Sequence, residues 1–448
     1  MNTAVLPLSE YARTSLLETD GPGWLQTLRH NGFAEYERQG IPGRRVERWK
    51  YTSPQLVTQT NWIPISNAPL RRVDVCDLVK AIEWSALTLE GQVLVLVNGC
   101  YDPEVTQCLQ EKVGRFVLNE GVLVTSLREV TQQAPDSLNG LLGSLLPIAE
   151  HPFAALNTCL VSDGLVIRVA DGVHASCPLH VISVTCGGDA PFVIQPRLVI
   201  DMASGSTMSV VESHISVDEK PVFTNWVREM RLADHACLNH SVMQDVNTES
   251  IWIMGSQAVL GCESVLNDFS FIRGAALSRA DLCVSFSGEG AHAHVHGAYV
   301  VGRDQHSDTT TFVDHAVPRC SSSQTWKGIL DGNGSGVFQG KVLVQRAAQQ
   351  TDGQQLHKAL MLSKGAEVNT KPELMIYADD VKCSHGAATG ALDEEALFYL
   401  KARGIKDEAA RALLIEGFLE EVFGFIPGED VRHAVQERVQ AWLVARAS

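Results

Sequence analysis

Residues 197–215 read RLVIDMASGSTMSVVESHI, two β-prone runs with small turn-forming residues between them. Runs of Val, Ile and Met that are broken by Gly and Ser predict short strands joined by tight turns. The same texture extends from about Thr158 to Lys382, as in GLVIRVADG and LHVISVT, and no amphipathic helix of four turns lies within it. This stretch is long for one sandwich and suits a stack of similar coils, although no strict repeat is visible. Sandwich, barrel and solenoid all remain open on pattern alone.

The segment before this β-rich stretch is predicted to be mostly helical. The apolar residues of GPGWLQTLRHNGFAEYERQGIPG have roughly helical spacing, and Gly40 and Pro42 mark the end of that helix. The later sequence LNGLLGSLLPIAE is predicted to form another helix. We therefore expect a first unit that spans residues 1–157.

The segment after the β-rich stretch is also predicted to be helical. Asp393 suits the N-cap of a helix that Gly404 ends, and a second helix is expected from Asp407. A third helix, EDVRHAVQERVQAWLVARA, carries an apolar stripe along one side. We expect a β-rich unit over residues 158–390 and a helical unit over 391–448, which can dock on its own protein or on another.

The bulk composition limits the function classes. The formal net charge is −16 and no basic stripe is visible, which argues against nucleic-acid binding. The first residues lack the basic head and apolar run of a signal peptide, and the most apolar run, VLVLV, is far too short to cross a bilayer. The eleven cysteines form no CxxC pair, as expected for reduced thiols in a reducing compartment. We expect no membrane contact and a cytoplasmic location.

A nucleotide-binding P-loop is excluded. The sequence GNGSGVFQGKVL contains a Gly-Lys pair, but the motif needs Gly five residues before Gly340 and Ser or Thr after Lys341. Ser335 and Val342 stand at those two positions. The chain is therefore not itself a P-loop ATPase.

One candidate metal site is the histidine row HAHVHG. On a strand, His292, His294 and His296 would project from one face with about 7 Å between successive positions. Imidazoles in that alternation can bind zinc, iron or copper, and DQHSDTTTFVDH adds further His and Asp residues nearby. The alternative is a row of solvated or packed histidines on a β-rich surface, because alternation alone does not make ligands converge.

A second candidate is the Cys-x-His within MIYADDVKCSH. If this sequence is one extended strand, Tyr377, Asp379, Val381, Cys383 and His385 share a face, whereas a helix would point the thiol and the imidazole apart. The opposite face changes from apolar to charged, as expected for a bulge or for a strand that leaves its core, and the latter would offer an edge to a partner. Iron and iron–sulfur clusters accept both ligand types, but two ligands do not complete a site. A packed cysteine beside a hydrogen-bonded histidine is the alternative.

Three parts of the sequence resemble one known family. Residues 352–405, DGQQLHKALMLSKGAEVNTKPELMIYADDVKCSHGAATGALDEEALFYLKARGI, resemble the C-terminal core of the SufB/SufD family, scaffold subunits of the Suf iron–sulfur cluster assembly machinery. Two further segments, GIPGRRVERWKYTSPQLV and DQHSDTTTFVDHAVPRCSSSQTWKGILDGNGSGVFQGKV, resemble the SufD branch of that family. No cysteine-rich N-terminal motif of the kind often found in the SufB branch is present.

The resemblance implies a fold and a set of partners. The fold is mainly β with helical ends, a right-handed parallel β-helix between an N-terminal and a C-terminal helical domain. The partners are a SufB-like paralogue, which pairs through the end of the β-helix, and a SufC-like ATPase, which binds the terminal helices and supplies the nucleotide chemistry. A homodimer is the alternative for the isolated chain.

The resemblance also assigns roles to residues. It places Cys383 and His385 near the interface with the SufB-like paralogue, as ligands shared with that partner for a transient iron–sulfur cluster, while this chain alone holds no tightly bound cofactor. It gives ATPase docking to the C-terminal helices, in which the candidate residues are Asp393, Phe398, Tyr399, Arg403 and Gly404. The chain is then a scaffold subunit and not an enzyme. The competing hypothesis is a self-contained metalloenzyme that uses His292, His294 and His296.

Overall fold

The structure is a computed structural model with helices at both ends and strands between them. It describes residues 8–18, 21–64, 74–85, 90–114 and 116–447. The helices are α1 (Leu8–Glu18), α2 (Gly23–Gln39), α3 (Gln55–Gln59), α4 (Val75–Ser85), α5 (Pro103–Val113), α6 (Leu127–Gln133), α7 (Pro152–Leu160), α8 (Glu394–Ala402), α9 (Asp407–Phe423) and α10 (Glu429–Ala447).

The strands fall into an N-terminal group and a long central series. The N-terminal group is β1 (Ile63–Pro64), β2 (Gln92–Val97), β3 (Cys100–Tyr101) and β4 (Val122–Ser126). The central series is β5 (Gly164–Val169), β6 (Leu179–Thr185), β7 (Phe192–Ile194), β8 (Arg197–Met202), β9 (Thr207–Ser216), β10 (Val222–Leu232), β11 (Cys237–Val246), β12 (Ile251–Leu260), β13 (Val265–Gly274), β14 (Leu277–Phe286), β15 (His292–Val301), β16 (His306–His315), β17 (Ser321–Leu330), β18 (Ser335–Val344), β19 (Thr351–Met361), β20 (Glu367–Ile376) and β21 (Val381–Gly390).

The central strands form a parallel solenoid in which each coil adds one strand to each of two sheets. The even sheet runs β20-β18-β16-β14-β12-β10-β8-β5-β4, and the odd sheet runs β21-β19-β17-β15-β13-β11-β9-β6-β2-β3. Strands of successive coils pair in register, as Cys237 does with Val265 and Val265 with His292. One coil takes roughly 30 residues, a period typical of repeat architectures. The β-helix core and the helical ends are therefore confirmed, and the right hand of the coil stays a prediction.

Alternate side chains of each strand point into the space between the two sheets, which we call the lumen. Large lumen residues lie beside glycines of the adjacent coil, as Trp326 does beside Gly297 and Tyr299 beside Gly328. A Cβ atom on Gly297 would lie 2.3 Å from Trp326 Cζ3, and one on Gly328 would lie 2.2 Å from Tyr299 Cζ. These strand glycines are thus explained by close packing across coils.

The N-terminal helices agree with the sequence prediction in one place and differ in another. Helix α2 ends at Gly40, whose φ of 62° suits glycine, and its Gly32 lies against the backbone of α7. The predicted helix LNGLLGSLLPIAE is wrong: the chain there makes turns that end in a short 3₁₀ segment, Ile148–Glu150. Gly140 and Gly143 have positive φ values of 78° and 71°, which an α-helix cannot contain.

The sequence RRVERWKYTSP crosses the outer face of the even sheet and ties the N-terminal region to it. The indole of Trp49 lies over the buried guanidinium of Arg279 on β14, 4.0 Å from Cζ to the ring centroid. Glu47 Oε1 lies 2.5 Å from Lys371 Nζ on β20. This segment therefore connects coils in the middle of the solenoid to its last coil.

The C-terminal helices begin and pack as the sequence predicts. The Asp393 side chain accepts hydrogen bonds from the N–H groups of Glu395 and Ala396, the N-cap geometry expected for α8. Helices α9 and α10 pack their apolar sides on the outer face of the odd sheet. Lys327 Nζ, from that face, lies 2.5 Å from both the Phe418 carbonyl oxygen and Glu421 Oε2 of α9. No helix among the described residues is long and apolar enough to span a membrane.

The two ends of the solenoid differ. At the closed end, β2 and β4 extend the sheets, and helices α4 and α5 pack on β2. At the open end, β20 and β21 each have one neighbouring strand, as β3 and β4 do at the closed end, but none of the residues of β20 and β21 is buried. The Cys-x-His motif lies on β21, at the open end.

Candidate functional site

Cys383 and His385 both lie on β21, the last strand of the odd sheet. Register pairs Cys383 with Gly353 and His385 with Gln355 of β19. Because the two residues are two positions apart on a strand, they project from the same face. That face is the lumen side: the Cys383 Sγ lies 3.4 Å from the position of a Cβ on Gly353, which also faces Val342 of β18 across the lumen. The predicted extended geometry of the motif is confirmed.

Cys383 is half-buried and packs with an apolar group at the open end that includes Val342 and Leu374. Burial raises the pKa of its thiol above the ordinary value, and nearby Asp352 adds to the rise while a backbone hydrogen bond from Gly353 opposes it. The protonated thiol is therefore favoured in the isolated chain, and a cation or metal brought by a partner would be needed to favour the thiolate.

His385 is exposed, and its imidazole makes no hydrogen bond to the residues that the structure describes. Its exposure follows from its position, because no further coil of the described chain follows β21. The ring is therefore accessible to a group that approaches the open end. Cys383 and His385 offer two potential ligands on one face, and no group of three or more His, Cys, Asp or Glu in the described chain is arranged to hold a metal.

The strand prediction around this motif is wrong in its extent. Strand β20 ends at Ile376, and residues 377–380 form a turn into β21. The turn is held by the Asp380 N–H, which donates to Gln349 Oε1 at 2.9 Å, and by the Gln350 N–H, which donates to the Asp380 carbonyl at 2.6 Å. Tyr377 and Asp379 therefore do not continue the face of Cys383. The change from apolar to charged residues reflects a turn between two edge strands.

The histidine row is placed on one face of β15, as predicted, but its members do not converge. His292 is exposed and bonds Ser321 Oγ at 2.6 Å, and His296 is buried against the ring of Phe425, with 4.0 Å between ring centroids. The His296 Nδ1 accepts the Thr325 N–H at 3.0 Å, and burial lowers the pKa of His296 to about 3.

The middle member and the nearby sequence do not complete that row either. The His294 Nδ1 lies 2.8 Å from Ser323 Oγ, and its ring stacks on His296 at 6.2 Å between centroids. Asp308 lies in the other sheet, where it pairs with Arg279, and His315 points into the lumen, where its Nε2 lies 2.9 Å from Ser322 Oγ. The row is packed against the C-terminal helices and neighbouring serines, and it does not form a metal site.

The predicted docking residues lie on and beside α8. Phe398 and Tyr399 are 75% and 57% exposed, a large apolar surface for two adjacent aromatic residues. Arg403 Nη2 donates to the Tyr399 hydroxyl at 2.7 Å and its guanidinium lies 4.9 Å from the ring centroid. Gly404 has a φ of 88° and follows the end of the helix. Asp393, at the other end, fixes where the helix begins.

Sequence reasoning missed the glutamines behind the motif. Gln355 is beside His385 in register, and Gln324 is beside Gln355 one coil earlier. Both are buried, and neither amide nitrogen nor amide oxygen has a hydrogen-bond partner within the described chain. The sequence DGQQLHKAL did contain a signal for them. On a strand, Gln355 and His357 lie two positions apart and therefore share one face, which can be the buried one.

Comparisons with known proteins define the class. Residues 184–418 match the model described as SUF system FeS cluster assembly, SufBD core domain, and residues 9–181 match the SufBD protein N-terminal region. The first match alone covers more than half of the chain. The chain therefore belongs to the SufBD family of the SUF iron–sulfur cluster assembly system, as the resemblance indicated.

Full-length relatives narrow the likeness to the SufD branch. The chain is 29% identical to the iron–sulfur cluster assembly protein SufD of Escherichia coli, over 90% of this chain and 89% of that protein. It is 24% identical to SufD of Bacillus subtilis, over 94% of this chain and 95% of that protein. It is 29% identical to a SufBD family protein of Synechocystis sp., over 86% of this chain and 84% of that protein. The family role is thus in iron–sulfur cluster assembly.

Proposed function

We propose that this chain is a non-catalytic scaffold subunit that pairs with a SufB-like paralogue through the open end of its solenoid. The observation that supports this is the pair of edge strands, β20 and β21, none of whose residues is buried, in a molecule whose other end packs under its own helices α4 and α5. Unpaired strand edges promote association, and natural proteins usually protect them with charges, Pro or a covering segment.

The edge strand β21 is suited to being covered by a partner. After His385 it continues as GAATG, five small uncharged residues that are half-buried or exposed. Small side chains allow another backbone to come close, and no charge opposes pairing there. A second solenoid of the same family would present an edge of matching length. We propose the paralogue as that partner, with a homodimer as the alternative for the isolated chain.

Cys383 and His385 are then half of a site for the cargo, a transient iron–sulfur cluster. A thiolate and an imidazole are suitable ligands for such a cluster, which usually takes four. Two positions on one face supply at most two ligands, so the others would come from the paralogue. The raised pKa of the Cys383 thiol fits this role, because the thiol would lose its proton only when iron or a partner's positive charge arrives. No tightly bound cofactor of this chain alone is proposed.

The C-terminal helices are proposed to dock a SufC-like ATPase. Phe398 and Tyr399 project from α8 with most of their surface exposed, and aromatic side chains of this kind are common anchors of protein interfaces. Arg403 holds the Tyr399 ring from one side. Nucleotide chemistry would then belong to the partner, and this chain would have no catalytic activity of its own. We propose the cytoplasm as its compartment, since all eleven cysteines are free.

The test uses the chain with its proposed partners. Co-expression with a SufB-like and a SufC-like protein should yield a complex that purifies together, and His385→Ala should leave the complex intact but abolish maturation of an iron–sulfur reporter protein in cells. Ser384→Ala is the matched control, because Ser384 is exposed on the opposite face of the same strand. Unchanged maturation with His385→Ala would contradict the proposed role of the imidazole, and failure to co-purify would contradict the scaffold assignment.

A further inference from the structure

A row of polar residues lines the lumen behind the Cys-x-His motif. Gln324 of β17, Gln355 of β19 and His385 of β21 occupy equivalent positions on three successive coils of the odd sheet. They therefore lie one above another toward the open end, with neighbouring strands about 4.8 Å apart. The opposite wall at the level of Gln355 is Gly340 of β18.

Gly340 leaves the space that the Gln355 amide occupies. A Cβ atom on Gly340 would lie 2.0 Å from Gln355 Nε2 and 2.8 Å from its Oε1. Any side chain at position 340 would displace the amide, so the glycine fixes where the amide group can be. This also gives the Gly-Lys pair of GNGSGVFQGKVL a role that has nothing to do with phosphate binding.

The Gln355 amide is buried without a partner. The residue is 3% exposed, and its Nε2 and Oε1 make no hydrogen bond within the described residues. Gln324, deeper in the lumen, is in the same state. A buried amide without hydrogen bonds costs about 1–3 kcal/mol, so a nearby polar group is expected to satisfy it.

We propose that Gln355 is a positioning residue that hydrogen-bonds one imidazole nitrogen of His385 and so directs the other nitrogen toward the partner. The polar group next to Gln355 on the open side is the imidazole of His385, which has no other hydrogen bond within the described chain. Which ring nitrogen carries the proton is set by the hydrogen bond that the other makes. The inference rests on the proposed function only in assigning His385 to the cluster site; the hydrogen bond itself can be tested without partners.

Few other groups on the lumen side can replace Gln355 in this role. The neighbour of His385 on its own strand is Cys383, a weak hydrogen-bond donor. Pro372 of β20, which pairs with Gly340, faces the same level of the lumen and has no polar side-chain atom. Lys371 and Glu373 of β20 alternate with it on the outer face, where Lys371 pairs with Glu47.

The experiment measures the tautomer of His385 by NMR in the full chain labelled with ¹⁵N-histidine, the signal being assigned by its loss in His385→Gln. Gln355→Glu, whose carboxylate can only accept a hydrogen bond, should favour the tautomer whose N–H faces position 355. Gln355→Met, which keeps the shape but removes the amide, should change the tautomer ratio. Gln324→Met is the matched control one coil deeper, and it should leave the His385 signal unchanged.

Two outcomes would overturn the inference. One is a His385 tautomer ratio that stays the same in Gln355→Met while circular dichroism shows a folded chain. The other is an equal response to Gln324→Met, which would make the effect a general one of the lumen. If Gln355→Glu does not fold, the Gln355→Met spectrum decides alone. A changed His385 signal combined with normal cluster maturation in His385→Ala would uphold the positioning role and contradict the proposed function.

Discussion

The closed and open ends of the solenoid show two ways of finishing the same sheets. At the closed end, β2 extends the odd sheet, and its central residues are buried under α4 and α5. At the open end, no strand or helix of the described chain lies beyond β21 in the same sheet, and most residues of β21 are exposed. The chain thus buries β2 near one end of this sheet and leaves β21 exposed at the other. This contrast supports the proposal that the exposed end binds another protein.

The lumen repeats this contrast. Toward the closed end, the guanidinium of Arg228 lies 3.0 Å from Glu212 Oε1, and the two ring nitrogens of His240 lie 2.8 Å from Glu212 Oε1 and 2.6 Å from Asp268 Oδ1. All four side chains are buried, so each charge is compensated inside the chain. Toward the open end, the amide groups of Gln324 and Gln355 make no hydrogen bond to the part of the chain that the structure describes, and His385 is exposed. The buried charges of this lumen cluster are therefore paired within the chain, whereas the polar row toward the open end stops at an exposed imidazole.

The largest expected difference between the ends comes from adding a charge to each. Val95 of β2 is fully buried, so Val95→Lys should lower the free energy of unfolding by on the order of 4–5 kcal/mol, the cost of burying an unpaired charge. Ala387 of β21 is exposed, and Ala387→Lys should change the free energy of unfolding by less than about 0.5 kcal/mol. Urea denaturation at pH 7 measures both. Equal losses would mean that the open end is as much a part of the core as the closed end.

The second comparison removes one polar group from each part of the lumen. Arg228→Met leaves Glu212 and Asp268 buried without their cation and should cost about 3–5 kcal/mol. Gln355→Met removes an amide that has no partner in its own core, and it should change stability by no more than about 1 kcal/mol in either direction. The measurement is the urea midpoint of each variant. A Gln355→Met loss as large as that of Arg228→Met would contradict the contrast between the two parts.

The third prediction concerns acid. His357 is buried in the lumen between Tyr299 and Thr370, and burial lowers its pKa to about 4. Its folded pKa is below that of the unfolded chain, so its contribution is present above about pH 6.5 and is lost as the pH falls toward 4, up to about 3 kcal/mol. Urea midpoints at pH 7, 6 and 5 should therefore fall less steeply in His357→Gln than in the wild type. Parallel pH curves would mean that folding does not lower the pKa of His357.

The smallest expected effect is at the contact of α9 with the outer face. Lys327 is almost fully buried and bonds both Glu421 and the Phe418 carbonyl, so Lys327→Met should cost about 1–2 kcal/mol. Lys358 also reaches Glu421, at 3.3 Å, but is more exposed, and Lys358→Met should cost no more than about 0.5 kcal/mol. Hydrogen exchange of α9 should rise in the first variant only. If hydrogen exchange rises in both variants, the ion pairs with Glu421 hold α9 in place, and the burial of Lys327 adds little.

The sequence predicted the broad organisation because hydrophobic pattern and turn residues act locally. The strand-rich centre, the N-cap at Asp393 and the apolar stripe of α10 all follow from neighbouring residues. The solenoid itself came from the family resemblance, because coils of unequal length and a lumen of mixed polarity leave no strict repeat. Glu212 and Arg228 illustrate the difficulty, since charged residues in a strand normally indicate a solvent face and here they compensate each other inside.

The errors have equally local causes. LNGLLGSLLPIAE has helical apolar spacing, but Gly140 and Gly143 adopt positive φ and break the helix. The strand through Tyr377 was extended too far, because at an uncovered edge neither face is buried and alternation carries little information. Gln355 was missed for a different reason: the space for its amide is left by Gly340 of another strand, a contact that the pattern of neither strand contains.

The most direct test of the open-end assignment is hydrogen exchange of the full chain, alone and mixed with a purified SufB-like paralogue. We expect the amides of β21 and β20 to become strongly protected in the mixture, while those of β2 and β4 at the closed end keep the exchange rates of the isolated chain. Protection at the closed end with β20 and β21 unchanged would contradict the account. It would mean that the uncovered edge is not where the partner binds.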